Sequence, residues 1–323
     1  MVVAPQERLT FSQGDGLDLQ ESAAADEVAE LRTTLEAVQS ELASMKARQA
    51  AGHAVDFNDY AYRPRRRDWS DAPIGRRLQA LLEAGKPDYL QFMEQVCALD
   101  PYFRAIPVVR EAKAGPSPTW ENWWLPGLDA CLLYSLIALR KPRTYLEVGS
   151  GNSTRFVRKA IVDFGLSTRI VSIDPHPTSD IDQLCDEVIR ARCEDAPLSY
   201  FRELQAGDML FIDDSHRSFQ NSDVTVCFTE IIPGLAPGVI YGLHDIFLPG
   251  DYPADWETRF YNEQYLLAMY LLGGADGDEV LLPGHYIFQD PAFAHLRNRL
   301  FLGSRHIDWL TSSFWMIRAG RSD

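Results

Sequence analysis

From residue 126 onward, the sequence alternates between helical patterns and short apolar runs that are typical of buried strands. Such alternation predicts an α/β fold, with a parallel sheet that carries helices on both faces. The predicted strands are Thr144–Val148, Arg169–Asp174, a short one near Ile189–Cys193, Met209–Asp213, Gly238–His244, Glu279–Leu282 and Ser312–Arg318. The predicted helices are Gly127–Leu139, Ser153–Phe164, Ile181–Val188, Pro197–Leu204, Asn221–Ile232 and Glu257–Leu272.

The charge balance of the chain restricts its partners. Its 323 residues include 46 acidic and 31 basic side chains, and the formal net charge is −15. A field of this sign repels phosphate backbones, so we expect no nucleic-acid partner. The sequence has no apolar run long enough to span a membrane, and its first residues lack the pattern of a secretory signal. We therefore expect a cytoplasmic protein without a membrane span.

The cysteines support the same compartment. There are five of them, which is an odd number, and no C-x-x-C pair occurs. This usage is typical of a reduced cytosolic protein, and it favours neither a disulfide framework nor a zinc cage.

A heptad pattern precedes the α/β region. Apolar residues recur at alternating spacings of four and three without a break, which predicts a coiled-coil helix over residues 21–50. In a parallel dimer, Glu27 would face Arg32 and Glu41 would face Lys46 of the second chain. The alternative is an amphipathic helix that packs on its own domain, and we favour a homo-oligomer. The apolar seam consists of Ala24, Val28, Leu31, Leu35, Val38, Leu42 and Met45.

The remaining segments complete the predicted organisation. Residues 1–20 are polar and are expected to be disordered. Residues 51–75 form a linker, residues 76–125 a helical cap, and residues 126–323 the main domain.

Two clusters outside the sheet stand out. Arg63 and its neighbours Arg65 to Arg67 form a basic cluster, which either pairs with carboxylates of the body or grips an anionic substrate or partner. Trp120, Trp123 and Trp124 either pack in the core or form a wall of an apolar cleft.

A glycine turn closes the first predicted strand. Gly149 and Gly151 allow the backbone to approach a ligand closely, and Ser153 or Thr154 can cap the following helix. Thr154 stands where a dinucleotide site would have its third glycine, which weakens that assignment. Glu147, two residues before the first glycine, favours a cofactor that carries an ammonium and a sulfonium.

Acidic residues follow the next two strands. Asp174 ends the second strand and can accept hydrogen bonds from both hydroxyls of a ribose. Asp195 or Glu194, after the third strand, could meet an adenine amino group. Both nucleotide and S-adenosylmethionine sites use such residues.

Four motifs in order now carry a resemblance to a known family. The segments LEVGSGNST, SIDPHP, GDMLFIDDSH and GVIYGLHDIF resemble the successive motifs of class I S-adenosylmethionine-dependent methyltransferases. DYP-x-x-W and NEQYLL resemble the bacterial small-molecule branch with its FID-x-x-H and HDIF motifs. The resemblance covers residues 118–318.

The resemblance implies a fold and a cofactor site. It implies a seven-stranded Rossmann-like sheet of order 3-2-1-4-5-7-6 with an antiparallel last strand, and S-adenosyl-L-methionine bound over strands one and four. The turn from Glu147 to Ser153 would cradle the methionine part, Asp174 would hold the ribose, and His176 and Asp195 would flank the adenine. The implied cofactor residues are Glu147, Gly149, Ser150, Gly151, Asn152, Ser153, Asp174, His176, Asp195 and Asp213.

Candidate catalytic groups follow strands four and five. The sequence places His216 after one strand and His244 and Asp245 after the other, where a methyl group would leave the cofactor. A histidine titrates near neutral pH and suits a general base, so we expect His216 or His244 to take the acceptor's proton and Asp245 to orient it or bind a metal. The structural alternative is that His216 caps a helix and His244 is hydrogen-bonded in the core.

A metal and a different function remain open at this point. Relatives that resemble catechol O-methyltransferase bind magnesium, and Asp213 and Asp245 could match their ligands, but His244 and Ile246 depart from that all-oxygen pattern. We predict a methyltransferase acting on an oxygen or nitrogen of a small molecule. The alternatives are a partner-binding protein without catalysis and another metal-dependent enzyme on the same fold. Tyr252, Trp256, Tyr261 and Tyr265 indicate an aromatic cleft for the acceptor.

Overall fold

The computed structural model divides the chain into two units, Met1–Arg63 and Pro64–Asp323. It describes residues 28, 31–40, 42, 43 and 46 in the first unit, and residues 65–109, 116–122, 124–177, 180–300 and 311–320 in the second. The predictions for residues 1–20 and for most of the linker lie outside these residues, as do Ala24, Met45 and Trp123.

In the first unit, every described residue is helical and solvent-exposed. The seam residues Val28, Leu31, Leu35, Val38 and Leu42 are between 48% and 61% exposed. These large apolar side chains therefore have no partner within the described part of their own unit.

In the second unit, a seven-stranded sheet has the order β3-β2-β1-β4-β5-β7-β6. The first five strands of that order are parallel, and β7 is antiparallel to both β5 and β6. The predicted sheet order and the antiparallel last strand are thus confirmed. The strands are β1 (Thr144–Val148), β2 (Arg169–Ile173), β3 (Glu187–Ile189), β4 (Met209–Ile212), β5 (Ile240–Leu243), β6 (Glu279–Pro283) and β7 (Phe314–Ile317).

Helices cover the sheet, and several 3-10 turns link the elements. The α-helices are α1 (Pro73–Ala84), α2 (Lys86–Ala98), α3 (Asp100–Arg104), α4 (Gly127–Arg140), α5 (Asn152–Asp163), α6 (Ser199–Arg202), α7 (Asp223–Val226), α8 (Ile232–Gly234), α9 (Glu263–Leu272), α10 (Gly284–Gln289) and α11 (Ala294–Arg297). A π-helical turn, Cys227–Ile231, joins α7 to α8. Within the described part of the chain, every helix is too short or too polar to traverse a bilayer.

Two predicted helices differ in the structure. The segment 181–188 forms only a 3-10 turn, Asp182–Leu184, because the backbone then bonds to β2 as strand β3. The helix predicted to begin at Glu257 begins at Glu263, because Phe260 adopts a left-handed backbone with φ of 56°. In both places, pairing or backbone geometry overrides a local helical pattern.

The predicted helical cap is part of the core. The side chains of Leu78, Leu82, Phe92 and Met93 are buried, and α2 packs against α4 and α11. Helix α1 begins at Pro73, three residues before the predicted boundary. None of the described residues of α1 to α3 lines the large cavity described below, so these helices support the sheet and do not cover a cleft.

The cysteines carry no disulfide. All five are free, and four of them are buried. The Sγ atoms of Cys193 and Cys227 lie 3.8 Å apart, within the range of a weak thiol hydrogen bond.

Candidate functional site

A cavity of about 630 Å³ lies over the carboxyl ends of the parallel strands. Its position matches the switch point between β1 and β4, where open α/β sheets bind their ligands. The segments after β1, β2, β4 and β5 all reach it, together with segments around residues 120–126 and 256–261. Predicted site residues that line it are Gly149, Ser150, Gly151, Asn152, Ser153, Asp174, His176, Asp213, His216, His244 and Asp245.

The glycine turn after β1 packs closely against Asp213 on one side and faces open space on the other. Gly149 has a φ of 75°, and a Cβ there would lie 1.9 Å from the carbonyl oxygen of Asp213. A Cβ on Gly151 would meet nothing within 4 Å. The turn therefore packs tightly on the end of β4 and leaves an open cradle at Gly151 on the cavity wall.

Asp174 is held at the end of β2 with its carboxylate toward this turn. Its Oδ2 accepts a hydrogen bond from the backbone N–H of Ser150 at 2.8 Å, and its Oδ1 accepts one from the backbone N–H of His176 at 2.7 Å. These bonds fix the carboxylate at the cavity wall. Each oxygen retains capacity to accept a further hydrogen bond from a ligand hydroxyl.

Glu147 lies beneath the glycine turn and does not line the cavity. Its carboxyl group is fully buried and accepts hydrogen bonds from Tyr145, Ser153 and Thr154. Burial raises the pKa of Glu147 to about 7, although these hydroxyl donors oppose the rise. The structure thus gives Glu147 a place under the start of α5, without direct access to a ligand.

Asp195 is the second predicted cofactor residue that the cavity does not include. It ends a 3-10 turn, Cys193–Asp195, and its side chain is exposed. The structure brings the other eight predicted cofactor residues together at the cavity.

His216 is surrounded by carboxyl groups. Its Nδ1 lies 2.9 Å from Glu263 Oε2 as a hydrogen bond, and its Nε2 lies 3.3 Å from both Asp213 and Asp245. Burial alone would lower the pKa of His216, but the bonds to Asp213 and Glu263 and the charge of Asp245 raise it well above its usual value. A non-glycine φ of 57° at His216 turns its backbone sharply after β4.

His244 bridges the same pair of aspartates from the other side. Its Nδ1 lies 3.4 Å from Asp213 and from Asp245, and its Nε2 lies 3.3 Å from Asp129. That Nε2 makes no aligned hydrogen bond to a described residue. Burial opposes protonation of His244, but the charges of Asp213 and Asp245 outweigh it and raise its pKa well above the usual value.

Asp129 anchors the far side of this cluster. It lies in α4, is fully buried, and accepts hydrogen bonds from the backbone N–H groups of Ser312 and Ser313 at 2.9 Å each. The hydroxyl of Thr311 also donates to it. Helix α4 is thereby tied to the residues that enter β7, and the carboxylate is presented to His244.

Sequence reasoning placed Asp214 after strand four but missed two members of this cluster. Asp129 and Glu263 are buried acids close to the two histidines. A single acid within the apolar run of α4 was a usable signal for Asp129, because an unpaired buried carboxylate is rare. Nothing local marks Glu263, which reaches His216 from 47 residues away.

The expected metal ligands do not form the tightest cluster of donor atoms. Among the described residues, Asp214, His216 and Glu263 have one ligand atom each within 4.8 Å of one another. Asp214 Oδ2 and Glu263 Oε1 are buried, and neither has a hydrogen-bond partner among the described residues. The donor set is compatible with a borderline divalent ion, whereas Asp213 and Asp245 each contact both imidazoles.

The cavity mouth is aromatic and carries one fixed cation. Trp256 and Tyr261 line it with ring centroids 5.6 Å apart, and Arg259 lies 3.9 Å over the Trp256 ring. Trp120 and Trp124 line another part of the wall. Tyr252 and Tyr265, which were also expected in an aromatic cleft, are not among the lining residues.

The basic cluster before α1 contacts Asp251 and Tyr252, which precede the turn that carries Trp256 and Arg259. The Nε of Arg66 donates to the carbonyl oxygen of Tyr252 at 2.8 Å, and the backbone N–H of Arg67 donates to Asp251 at 2.9 Å. The Trp69 ring lies 5.8 Å from that of Tyr265. Arg66 and Arg67 therefore bind groups of the body itself, while Arg63 lies outside the described residues.

The strand order and the cavity over β1 and β4 define the class I methyltransferase fold. Residues 146–246, which run from β1 past Asp245, match the family model described as a methyltransferase domain. The chain thus has the sheet order of the class I S-adenosylmethionine-dependent methyltransferase fold, and residues 146–246 match a methyltransferase domain. No curated protein matches it.

The solved structures that match the chain are distant in sequence. An O-methyltransferase from Bacillus cereus in complex with SAH is 13% identical, with 71% of this chain and 91% of that chain covered and a TM-score of 0.32. The O-methyltransferase TomG from Streptomyces achromogenes, involved in tomaymycin synthesis and in complex with SAM, is 18% identical, with coverages of 69% and 96% and a TM-score of 0.32. SAH-bound PaMTH1 from Podospora anserina is 13% identical, with coverages of 81% and 100% and a TM-score of 0.38.

Proposed function

We propose that this protein transfers a methyl group from S-adenosylmethionine to an oxygen or nitrogen of a small molecule. One observation carries the proposal: the glycine cradle and Asp174 share a single cavity with two imidazoles and their carboxylates. One half of that cavity suits a nucleoside with an amino-acid tail. The other half holds groups that can accept a proton.

The cofactor half fits S-adenosylmethionine by shape and by charge. The open side of Gly151 leaves room for the methionine part, and Asp174 can accept from the ribose hydroxyls. His176 lines the wall beyond Asp174, on the side where the base would lie. The many carboxyl groups nearby favour a cofactor that carries a sulfonium.

The catalytic half requires a group that removes the acceptor's proton. When bound, S-adenosylmethionine supplies a methyl group whose carbon–sulfur bond breaks as the acceptor's lone pair attacks, which leaves S-adenosylhomocysteine. We assign the base to the Nε2 of His216, since Glu263 holds its Nδ1 and Asp213 and Asp245 flank the Nε2. In this arrangement Glu263 is a positioning residue, and His244 holds the two aspartates from the opposite side.

A divalent ion is the second way in which these residues could act. Asp214, His216 and Glu263 would hold it, and the ion would supply positive charge to an acceptor oxygen. Treatment with a chelator distinguishes the two cases. Activity that survives chelation supports His216 as a simple base, whereas activity restored only by added metal supports an ion.

Cofactor binding is tested with a matched pair of substitutions. We expect Asp174→Ala to weaken binding of S-adenosylhomocysteine by about 5- to 150-fold, the effect of about 1–3 kcal/mol for lost buried hydrogen bonds. Asp195→Ala removes an exposed carboxylate outside the cavity and should leave the affinity unchanged. Calorimetric titration measures both, and equal affinity in Asp174→Ala and wild type contradicts the proposal.

We further propose that the protein self-associates through residues 24–45. The exposed apolar side chains at Val28, Leu31, Leu35, Val38 and Leu42 support this, because a helix with such a seam gains stability by burying it. A second copy of the same helix provides a matching seam.

A further inference from the structure

The cavity mouth has one permanently charged cation. Among the described lining residues, Arg259 is the only lysine or arginine. It ends a 3-10 turn, Ala254–Arg259, whose Asp255 and Glu257 are close in sequence. Arg259 is solvent-exposed, so its charge is accessible to a ligand.

The guanidinium is oriented by its surroundings. Its Cζ lies 3.9 Å from the centroid of the Trp256 ring, and a guanidinium placed over an aromatic face can still donate its N–H groups to a planar anion. The backbone carbonyl of Arg259 accepts a 2.8 Å hydrogen bond from the Nε of Arg217. The turn that carries Arg259 is therefore braced, and the cation is presented at the mouth.

The base and the cation flank one aromatic side chain. The Tyr261 ring lies 4.7 Å from the His216 ring and 5.7 Å from the Arg259 guanidinium. The Trp256 ring lies 5.6 Å from the Tyr261 ring at an interplanar angle of 83°, so a flat ligand stacked on one of these rings would meet the other edge-on. A ligand that reaches both ends must therefore present an aromatic or conjugated middle.

The two ends differ in charge. Asp213, Asp214 and Asp245 line the inner end, and an anionic group would be repelled there. Arg259 lies at the outer end, where an anionic group is attracted. The geometry thus selects a ligand with a neutral nucleophile at one end and a negative charge at the other.

We propose that the methyl acceptor is a flat aromatic compound that carries a carboxylate. Arg259 binds the carboxylate in a bidentate fashion, Trp256 and Tyr261 contact the ring, and a neutral hydroxyl or amine reaches His216. This inference rests on the proposed function, and it adds the class of acceptor.

The test compares two small probes that differ only in charge. 3-Hydroxybenzoate and 3-hydroxybenzamide are titrated into the full-length protein saturated with S-adenosylhomocysteine, and binding is followed by ligand-observed NMR. We expect wild type to favour the benzoate. Arg259→Gln should weaken binding of the benzoate by about 5-fold, as expected when a charge-assisted pair at a partly solvated mouth is lost. Binding of the benzamide should not change.

Two further variants make the result specific. Arg77→Gln removes the same charge from an exposed position on α1 and should not change the affinity for either probe. Arg259→Glu should reverse the preference, so that 3-hydroxybenzylamine binds better than 3-hydroxybenzoate. Thermal melting checks that each variant is folded.

The proposal is overturned if the benzoate and benzamide respond equally to Arg259→Gln. It is also overturned if this variant loses affinity for S-adenosylhomocysteine, because Arg259 would then bind the cofactor's carboxylate. If wild type fails to bind S-adenosylhomocysteine at all, the proposed function is wrong, and the same titration without it still tests the charge preference of the mouth.

Discussion

The protonation of His216 is controlled by the carboxyl groups that surround it. Asp213, Asp245 and Glu263 together raise the pKa of the imidazole well above its usual value, against the effect of burial. A base with a raised pKa is protonated at neutral pH and gains its active form only as the pH rises. Turnover should therefore increase with pH along a limb that lies above the ordinary histidine value of about 6.5.

Glu263→Gln should move this limb to lower pH. The substitution removes one of the carboxylates that favour the imidazolium form, so the base form appears earlier. Maximal turnover should fall by about 10-fold because the imidazole is less firmly oriented. The pH profile of turnover measures both effects, with Glu94→Gln as an exposed control. A lower turnover with an unmoved limb would contradict the assignment of Glu263 as the positioning residue.

Glu147 makes a second titration prediction, this time for stability. Burial raises its pKa in the folded state to about 7 from the ordinary 4.5. Below pH 4.5 the carboxyl is protonated in both states, and above pH 7 the folded state holds a buried charge. Its contribution to the free energy of unfolding therefore falls by about 3 kcal/mol as the pH rises through this interval.

Glu147→Gln should remove that fall. The difference in free energy of unfolding between the variant and wild type is measured by urea denaturation at several pH values. We expect the free energy of unfolding of the variant to rise relative to that of wild type as the pH increases from about 4.5 to 7. A difference that stays constant across this interval would show that Glu147 does not titrate there.

At the scale of elements, the central strands β1 and β4 were predicted more accurately than β3, which was expected near Ile189–Cys193 and forms at Glu187–Ile189. Thr144–Val148 forms a strand with the predicted bounds, and Met209–Ile212 is one residue shorter than predicted. Buried parallel strands are nearly continuous apolar runs, so their pattern is unambiguous. The segment 181–188 has a helical pattern, but hydrogen bonds to β2 decide its structure, and such long-range pairing is not visible locally.

The same distinction holds at the candidate site. Asp174, Asp213 and His244 were predictable because each directly follows a strand, and parallel strand ends meet at one edge. Arg259 lies shortly before α9, and Glu263 is its first residue. Their positions at the cavity depend on how α9 packs against the rest of the fold. The sequence therefore predicted the site residues that directly follow strands and two of the aromatic residues at the cavity mouth, Trp256 and Tyr261, but neither Glu263 nor Arg259.

Gly242 in β5 allows a large aromatic residue of β7 to pack on the sheet. A Cβ at Gly242 would lie 2.5 Å from the Trp315 ring, which is fully buried. Gly242→Ala should therefore lower the free energy of unfolding by about 1–3 kcal/mol through overpacking. Gly234→Ala is the control, since a Cβ there meets nothing within 4 Å. Chemical denaturation compares the two, and equal stabilities would show that Trp315 can move without cost.

At the scale of the whole molecule, the coiled-coil helix predicted over residues 21–50 should set the oligomeric state. Leu35→Lys places a charge in the apolar seam and should lower the mass measured by light scattering. Glu36→Lys introduces the same side chain at the adjacent, outward-facing position, with a larger change in charge, and should leave the mass unchanged. S-adenosylhomocysteine affinity should be the same in both variants. A wild-type protein that is already monomeric would contradict the prediction.

The tie between Asp129 and Ser313 has a consequence for synthesis on the ribosome. The two residues are 184 positions apart, and the second enters the strand that pairs with both β5 and β6. Until β7 has emerged from the exit tunnel, β5 is an open sheet edge and Asp129 is a carboxylate without its backbone donors. The nascent chain can assemble β1 to β5 beforehand, yet it then exposes an edge that invites pairing with other chains. Completion of the hydrogen bonds around Asp129 and protection of that edge therefore happen in the same late step.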